Sequence, residues 1–222
     1  MKTIVRIIVL LSWILNSSLI SSAWGSSLVG LHAYHLDDTS QTLDVEISKK
    51  ATIILMLGKE CPVSKRFIPR LNELYSVANS LDFNFYGLFP NPWDNAENIR
   101  QFQQEYDIHF PLLIDRHATV AKKLKPVASP ESFVFDKQGT LVYRGRIDNR
   151  FASIGVLRTN ISRHELADAM EAVFNDSMPA VPYTEPVGCF YGKWDTDTAE
   201  TSHDHGIHSR THDGTYSHRE SD

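Results

Sequence analysis

The chain has 222 residues, 42% of them hydrophobic, and its 27 acidic residues outnumber its 22 basic ones to give a net charge of −5. An acidic balance of this kind disfavours binding to nucleic acid or to an anionic membrane surface, so neither is expected as a partner. The length is sufficient for one domain with a sizeable core.

The first 25 residues have the pattern of a secretory signal peptide. Lys2 and Arg6 form a basic start, and the apolar run that follows, residues 7–15, is shorter than the roughly 20 residues that a membrane span needs. Small residues in Ala23-Trp24-Gly25 predict cleavage before Ser26. An uncleaved anchor is the alternative.

Cleavage removes two of the 22 basic residues and none of the 27 acidic ones, which leaves 20 against 27 and a net charge of −7. No later segment is apolar enough to cross a bilayer. We therefore expect an exported protein, periplasmic or secreted, with no membrane span after cleavage.

Apolar periodicity and turn residues predict alternating strands and helices after an N-terminal hairpin or edge over residues 28–43. In chain order, the further predicted elements are a strand at 51–57, a helix at 64–80, a strand at 83–89, a helix at 95–106, a strand at 110–114, a helix at 119–125, two hairpin strands at 131–135 and 141–147, and a helix at 162–175. This order predicts an α/β fold in which a central mixed sheet carries helices on both faces.

Local polar patterns predict several details of these elements. Asp94 or Asn95 is expected to cap the second helix, and Ser162 with Glu165 is expected to form a capping box on the last one. Gly139 is expected to close the hairpin turn that Asp136 opens. Two arginines that alternate on the second hairpin strand are expected on a solvated face, with contact to an anionic sulfur species as the alternative. They are Arg144 and Arg146.

Cys61 falls where the apolar strand at 51–57 runs into the first helix, with Pro62 in the first helical turn. A thiol at this place faces unpaired backbone N–H groups and the positive end of the helix dipole, which favour the thiolate. Because the thiolate is the nucleophilic form, the position predicts a reactive cysteine. A buried, inert cysteine is the alternative.

The only other cysteine is Cys189. In an oxidising compartment, two thiols can form either a structural staple or a working redox couple, and sequence separation alone does not choose between them.

Several stretches of this sequence resemble the thioredoxin-like superfamily, and within it the exported redoxin-domain proteins related to the alkyl hydroperoxide reductase and thiol-specific antioxidant family. The resemblance covers about residues 28–192. The matching stretches are Glu60-Cys61-Pro62-Val63-Ser64, Phe85-Tyr86-Gly87, Ser129-Pro130-Glu131, residues 143–148 (YRGRID), and Val187-Gly188-Cys189-Phe190.

The resemblance implies a three-layer thioredoxin-like fold in which Pro130 is a cis-proline facing Cys61, so that residue 129 can hydrogen-bond a bound peptide or mixed disulfide. It differs from Cys-x-x-Cys oxidoreductases because Ser64 replaces the second cysteine, which removes a local resolving thiol. It also differs from peroxiredoxins, because Ile54 and Gly58 stand where those enzymes carry proline and a hydroxyl residue.

We therefore expect a thiol-dependent oxidoreductase or antioxidant that needs no cofactor and acts on protein thiols, disulfides or peroxide, with a reductant that the sequence does not identify. Cys61 is the expected nucleophile, Cys189 a possible resolving thiol, Pro130 the substrate-side scaffold and Glu60 a group that tunes the thiol or transfers protons. The resolving role needs the segment of Cys189 to fold back over the first helix. A non-catalytic binding module with a structural disulfide is one alternative.

Residues 193–222 differ in composition, because they have few aliphatic side chains and many polar ones. Such a tail cannot bury enough apolar area to order itself, so we expect residues 26–192 to form the redoxin domain and the tail to be disordered. The tail carries five histidines that suit Cu, Ni or Zn, and a metal-handling protein on a thioredoxin fold is therefore a second alternative. These histidines are His203, His205, His208, His212 and His218.

Overall fold

The structure is a computed structural model that describes residues 27–37, 39–43, 49–192 and 194. Its helices are α1 (Pro62–Ser80), α2 (Ala96–Glu105), α3 (Thr119–Leu124) and α4 (Glu165–Phe174). Its strands are β1 (His32–His35), β2 (Ser40–Thr42), β3 (Ala51–Met56), β4 (Phe83–Phe89), β5 (Leu112–Ile114), β6 (Ala128–Ser129), β7 (Glu131–Asp136), β8 (Leu141–Gly145), β9 (Phe151–Ser153), β10 (Val156–Leu157) and β11 (Cys189–Phe190).

Seven strands form the central sheet in the order β2-β1-β5-β4-β3-β7-β8. The strands β3, β4 and β5 are parallel, whereas β1, β7 and β8 each pair antiparallel with their neighbours. The sheet is therefore mixed, as predicted, and the alternation of β3 to β5 with α1 to α3 followed by the β7–β8 hairpin and α4 is the thioredoxin-like topology.

The strand β3 is buried along its whole length, which places it in the centre of the sheet. Because successive side chains of a strand point to opposite faces, its residues divide between two cores. Ile53 and Leu55 pack with residues of α1, α2 and α4, and Ile54 and Met56 pack with residues of α3 and of the N-terminal segment. Helices thus cover both faces, as predicted.

Most predicted caps and turns are confirmed. The N-terminal hairpin is β1 paired with β2, and the turn before Thr140 contains Gly139 at φ +76°, the left-handed region that glycine tolerates best. Asn95 caps α2 in a reciprocal capping box with Asn98. The predicted capping box on the last helix is wrong.

The N-cap of α4 is His164, without a side-chain capping bond, because the polar groups of the predicted box have other partners. Ser162 accepts a hydrogen bond from Asn149, and Glu165 accepts two from Arg146. A long-range ion pair therefore takes the place of the local cap.

The prediction that Arg144 and Arg146 lie on a solvated face is also wrong. Arg144 binds the buried Glu131, with Nη2 and Oε1 2.5 Å apart, and Arg146 makes an equally short contact with Glu165. Both arginines are largely buried by these pairs and hold the β8 edge to its neighbours. Neither pair involves a sulfur atom.

The segment after α4 is ordered up to the candidate site, and Thr184 fixes it to β8. The Thr184 hydroxyl contacts the Tyr143 hydroxyl at 2.7 Å and accepts a hydrogen bond from the backbone N–H of Arg146 at 3.0 Å. A Cβ at Gly145 would lie 2.2 Å from the Thr184 carbonyl oxygen, so only glycine allows this close approach.

The predicted signal peptide lies outside the described residues, and so do the five histidines of the tail. Trp194 is described, although it lies within the predicted tail, and its Nε1 donates a hydrogen bond to the Pro126 carbonyl at 2.6 Å. Ordered packing therefore extends past the expected boundary at residue 192. Within the described ranges, no helix combines the length and apolar character that crossing a bilayer requires.

Candidate active site

Cys61 is the N-cap of α1, as the sequence predicts, and its side chain is almost fully buried, with 3% of the residue exposed. Pro62 occupies the first helical turn, where its missing N–H costs no hydrogen bond. The Cys61 carbonyl accepts the first helical bond from Lys65 at 3.1 Å. The thiol thus lies at the N-terminus of a 19-residue helix, where the helix dipole favours negative charge.

Backbone N–H groups at the start of α1 and the Cys189 thiol lie near the Cys61 sulfur and affect its pKa. Burial alone would raise the pKa of Cys61, but a hydrogen bond with the Cys189 side chain and the backbone N–H groups of Ser64, Cys189 and Val63 outweigh burial, so the pKa is lowered. Because donors of this kind stabilise negative charge on sulfur, the site favours the Cys61 thiolate.

Pro130 is a cis-proline, as predicted, and the residue before it brings three parts of the site together. The Ser129 carbonyl oxygen lies 2.9 Å from the Cys61 sulfur, where it accepts the S–H when the thiol is protonated. The Ser129 hydroxyl lies 2.6 Å from the hydroxyl of Ser64, and both side chains are buried. Ser64 therefore braces the cis-proline turn against α1.

Cys189 lies on a short strand that returns to the N-terminus of α1. This strand, β11, pairs antiparallel with β6, which places Cys189 opposite Ser129 and Phe190 opposite Ala128. The two thiols interact: burial and the hydrogen bond with Cys61 raise the pKa of Cys189 while that of Cys61 falls. Both cysteines are free thiols in this structure.

Gly188 allows this pairing, a role that was not predicted from the sequence. A Cβ at position 188 would lie 1.9 Å from the Ser129 carbonyl oxygen, closer than any side chain can come. The available signal was a glycine directly before a cysteine, at a position where the chain must approach other backbone closely. Gly188 thus lets Cys189 lie beside the cis-proline turn.

Glu60 does not face the thiol. Its side chain is 76% exposed, and its carboxylate accepts a hydrogen bond from Lys59 at 2.5 Å. This contact with Lys59 lowers the pKa of Glu60. The predicted role of Glu60 in tuning the thiol or transferring protons has no contact behind it in the structure and stays a prediction.

Asp94 and Tyr191 carry two buried polar groups near the site, and neither residue was predicted to belong to it. Asp94 is 6% exposed, and its Oδ1 has no hydrogen-bond partner among the described residues. Burial raises the pKa of Asp94. The Tyr191 hydroxyl is buried beside Ser129, and burial together with the charges of Cys61 and Asp94 raises its pKa.

The positions that distinguish this site from a peroxidase pocket are Ile54 and Gly58. Ile54 is fully buried in β3, and a Cβ at Gly58 would lie 3.1 Å from the Ser129 hydroxyl and 3.6 Å from the Cys61 Cβ. A side chain at position 58 would therefore meet the Ser129 hydroxyl. Within the described ranges, no three metal-ligating side chains come together to hold an ion.

Comparison with known proteins places these residues in a recognised sequence family. Residues 33–144 match the AhpC/TSA family. A thiol-disulfide oxidoreductase ResA of Bacillus thuringiensis subsp. konkukian is 27% identical over 93 residues, which is 42% of this chain and 53% of that protein. The chain thus spans about half the length of the curated relatives that it matches.

Two solved structures resemble the fold over most of this chain. A hypothetical protein from Sinorhizobium meliloti 1021 has a TM-score of 0.66 at 19% identity, covering 77% of this chain and 94% of its own. An uncharacterized conserved protein from Geobacillus kaustophilus has a TM-score of 0.64 at 24% identity, covering 77% and 92%. At these identities the likeness is one of fold.

Proposed function

The chain belongs to the AhpC/TSA family, and we propose that it catalyses thiol-disulfide exchange on polypeptides, with Cys61 as nucleophile and Cys189 as resolving thiol. The observation that carries the proposal is that Ser129 brings the two cysteines together: its carbonyl oxygen lies 2.9 Å from the Cys61 sulfur at the N-terminus of α1, and it lies opposite Cys189 in the β6–β11 pairing. Similarity to a relative named thiol-disulfide oxidoreductase supports the same reaction.

The exchange runs in two balanced steps. The Cys61 thiolate attacks one sulfur of a substrate disulfide, which forms a mixed disulfide and releases the other substrate sulfur as a thiolate that takes up a proton. Cys189 then loses its proton and attacks the Cys61 sulfur, which forms the Cys61–Cys189 disulfide and releases the second substrate thiolate. Two electrons pass to the substrate, and an external dithiol restores the reduced pair.

The different pKa shifts of the two thiols suit this order of events. The lowered pKa of Cys61 makes it the thiolate that attacks first, whereas the raised pKa of Cys189 keeps it protonated until then. Cleavage of the predicted signal peptide would place the reaction outside the cytosol, where protein disulfides persist.

Trapping the two steps separately tests this function. The protein without residues 1–25 and its Cys61→Ser and Cys189→Ser variants are incubated with a disulfide-linked model peptide, and the adducts are mapped by mass spectrometry. We expect the unchanged protein to end with a Cys61–Cys189 disulfide, Cys189→Ser to accumulate a mixed disulfide at Cys61, and Cys61→Ser to form neither. A mixed disulfide that forms on Cys189 in the unchanged protein and in Cys61→Ser would contradict the assignment.

A further inference from the structure

We propose that β11 is a tethered occupant of the edge on which the substrate polypeptide binds, so that a substrate enters only when β11 leaves β6. This inference rests on the proposed function, because it concerns the same pair of cysteines. The ligand proposed for the β6 edge is an extended polypeptide that carries a cysteine in a disulfide. Its backbone would pair with Ala128 and Ser129.

The first observation is that β6 has one partner. Among the described residues, β6 and β11 form a two-stranded sheet, separate from the central one. Addition of a strand to a free edge is a common way in which a domain binds an extended peptide, and main-chain hydrogen bonds supply the affinity. An incoming peptide and β11 would therefore use the same backbone groups of Ser129, which now lie opposite Cys189.

The second observation is how β11 is held. Phe190 is 83% exposed and Gly188 has no side chain, so β11 itself buries little apolar surface apart from the Cys189 side chain. The flanking residues Val187 and Tyr191 are partly buried, one against each core. Directly after β11 in the chain, the Tyr191 N–H donates to the Val127 carbonyl at 3.2 Å, and further on the Trp194 indole N–H donates to the Pro126 carbonyl. A strand held by a few hydrogen bonds and two partly buried flanking side chains can be exchanged for another strand that has similar side chains.

The third observation is the fixed point upstream. Thr184 is bound to β8 by its hydroxyl and by its N–H, which donates to the Arg144 carbonyl at 3.1 Å. Only residues 185–188 separate this anchor from Cys189. When β11 leaves the edge, this short tether keeps the resolving thiol close to Cys61 at a high effective concentration.

Substrate and resolving thiol therefore alternate at one edge. With the substrate on β6, Cys61 exchanges with its disulfide and holds it as a mixed disulfide. When β11 returns, the Cys189 thiolate attacks Cys61, the bond between Cys61 and the substrate breaks, and the substrate leaves as a thiolate. Return of β11 thus resolves the intermediate and clears the edge in one movement.

The close contact at Gly188 also determines which peptides fit in this register. Because any Cβ at that place meets the Ser129 carbonyl oxygen, a peptide that pairs as β11 does must have glycine directly before its cysteine. The chain's own sequence Val187-Gly188-Cys189-Phe190 has that arrangement. A synthetic copy of residues 184–191 is therefore a suitable probe.

The test uses the full chain without residues 1–25 in a Cys189→Ser background, so that mixed disulfides accumulate. The probe is a synthetic peptide of residues 184–191, linked through its cysteine to a coloured thionitrobenzoate that is released when Cys61 attacks. Gly188→Ala pushes β11 off the edge. The matched control is Gly192→Ala, because a Cβ at Gly192 meets nothing within 4 Å.

We expect Gly188→Ala to react with the probe about tenfold faster than the parent, because losing one or two net hydrogen bonds of β11 has an effect of that size. Gly192→Ala should react at the parent rate. A small alkyl thiosulfonate reports access to Cys61, and its rate should rise less than the probe's. A probe with alanine in place of its glycine should not show the faster reaction with Gly188→Ala. Trp194→Phe, which removes one donor, should give a smaller increase and serves if Gly188→Ala does not fold.

Two results overturn the proposal. If the ratio of probe rate to small-reagent rate is the same in all four proteins, β11 does not occupy the peptide edge, although Cys61 remains a nucleophile. If Cys61 reacts with neither reagent in any variant, the proposed function itself fails and the inference fails with it.

Discussion

The Ser129 carbonyl oxygen lies 2.9 Å from the Cys61 sulfur, and the same residue lies opposite Cys189 in the β6–β11 ladder. One residue of the cis-proline turn thus contacts both cysteines, and its hydroxyl also contacts Ser64. The redox pair is therefore assembled on Ser129, although the three segments that meet there lie far apart in the sequence.

Alkylation of Cys61 should proceed at a lower pH than that of an ordinary thiol, because backbone N–H groups and Cys189 lower its pKa. For a thiol, a lowered pKa means more thiolate at neutral pH, so the reaction should persist as the pH falls below about 8.5. Cys189, with a raised pKa, should react only in more alkaline solution. Rates of iodoacetamide labelling against pH, read by mass spectrometry, measure both.

The Cys189→Ala variant is the control for this pH profile. It removes the Cys189 thiol, which is one of the groups that lower the pKa of Cys61, so the midpoint of Cys61 should rise. A Cys61 midpoint at or above about 8.5 in the unchanged protein would remove the basis for its role as nucleophile.

Replacing Ser64 by alanine should destabilise the protein by about 1–3 kcal/mol, because it leaves the buried Ser129 hydroxyl without this partner. Ser76→Ala is the matched control in the same helix, since the Ser76 side chain is exposed and bonds only its own helix at Asn72. Urea unfolding of the two variants gives the comparison. Equal free energies of unfolding would show that the hydroxyl pair contributes nothing to stability.

The sequence predicted the parts of the site that depend on neighbouring residues. Cys61 could be placed because β3 and α1 each have a clear apolar period and Pro62 marks the junction between them. The cis-proline at position 130 came from resemblance and its place before β7. The order of the main strands and helices was predictable for the same reason, since apolar periodicity within a segment determines each one.

Long-range pairing was not predictable in this way. The two-residue strand β11 carries no periodic signal, and its position depends on β6, which lies about 60 residues earlier. Arg146 and Glu165 were each assigned from their own segment, one to solvent and one to a helix cap, whereas they pair with each other. Tertiary contacts determined these positions, and a single sequence does not contain them in readable form.

Peroxide should oxidise Cys61 slowly compared with a dedicated peroxiredoxin. Gly58 supplies no hydroxyl beside the thiol and Ile54 no proline, and the nearby Ser129 hydroxyl is already bonded to Ser64. Stopped-flow measurement of sulfenic acid formation in the Cys189→Ser variant tests this, with Cys61→Ser as the blank. Rapid, stoichiometric oxidation by micromolar peroxide would contradict it.

Restoring a hydroxyl at position 58 should not restore peroxidase activity. A Cβ there already lies 3.1 Å from the Ser129 hydroxyl, so the larger side chain of Gly58→Thr must displace the Ser64–Ser129 pair. We expect this variant to be less stable and no faster with peroxide. A gain in peroxide rate would mean that Gly58 alone limits the chemistry.

Asp94→Asn should change the pH dependence of stability in a defined direction. Burial raises the folded-state pKa of Asp94 above the ordinary 3.8, so this carboxyl favours the fold most when it is protonated. Its contribution is fully present below pH 3.8 and is lost as the pH rises through the raised folded-state pKa. The variant should therefore gain stability relative to the unchanged protein across that window and keep the gain at neutral pH.

Urea unfolding at a series of pH values measures this difference for Asp94→Asn. Asp107→Asn is a suitable control, because the Asp107 side chain is 90% exposed. A difference between Asp94→Asn and the parent that is constant from acid to neutral pH would show that Asp94 does not titrate in the way its burial requires.

The histidine tail should account for most Cu²⁺ or Ni²⁺ binding, because it carries His203, His205, His208, His212 and His218, while the described residues offer no cluster of metal ligands. A chain that ends after Trp194 keeps the Trp194–Pro126 contact, so its melting temperature and thiol chemistry should be unchanged while metal binding is lost. Binding by the complete chain should fall as the pH drops through about 6.5, since protonated imidazole is not a ligand.

Titration calorimetry of the complete and shortened chains measures the loss of metal binding. A full-length variant with all five histidines changed to glutamine separates the effect of imidazole from that of chain length. It should bind as weakly as the shortened chain, because amide side chains are poor ligands for these ions. Unchanged metal stoichiometry in both variants would place the site outside the tail and favour a metal-handling role for the folded domain.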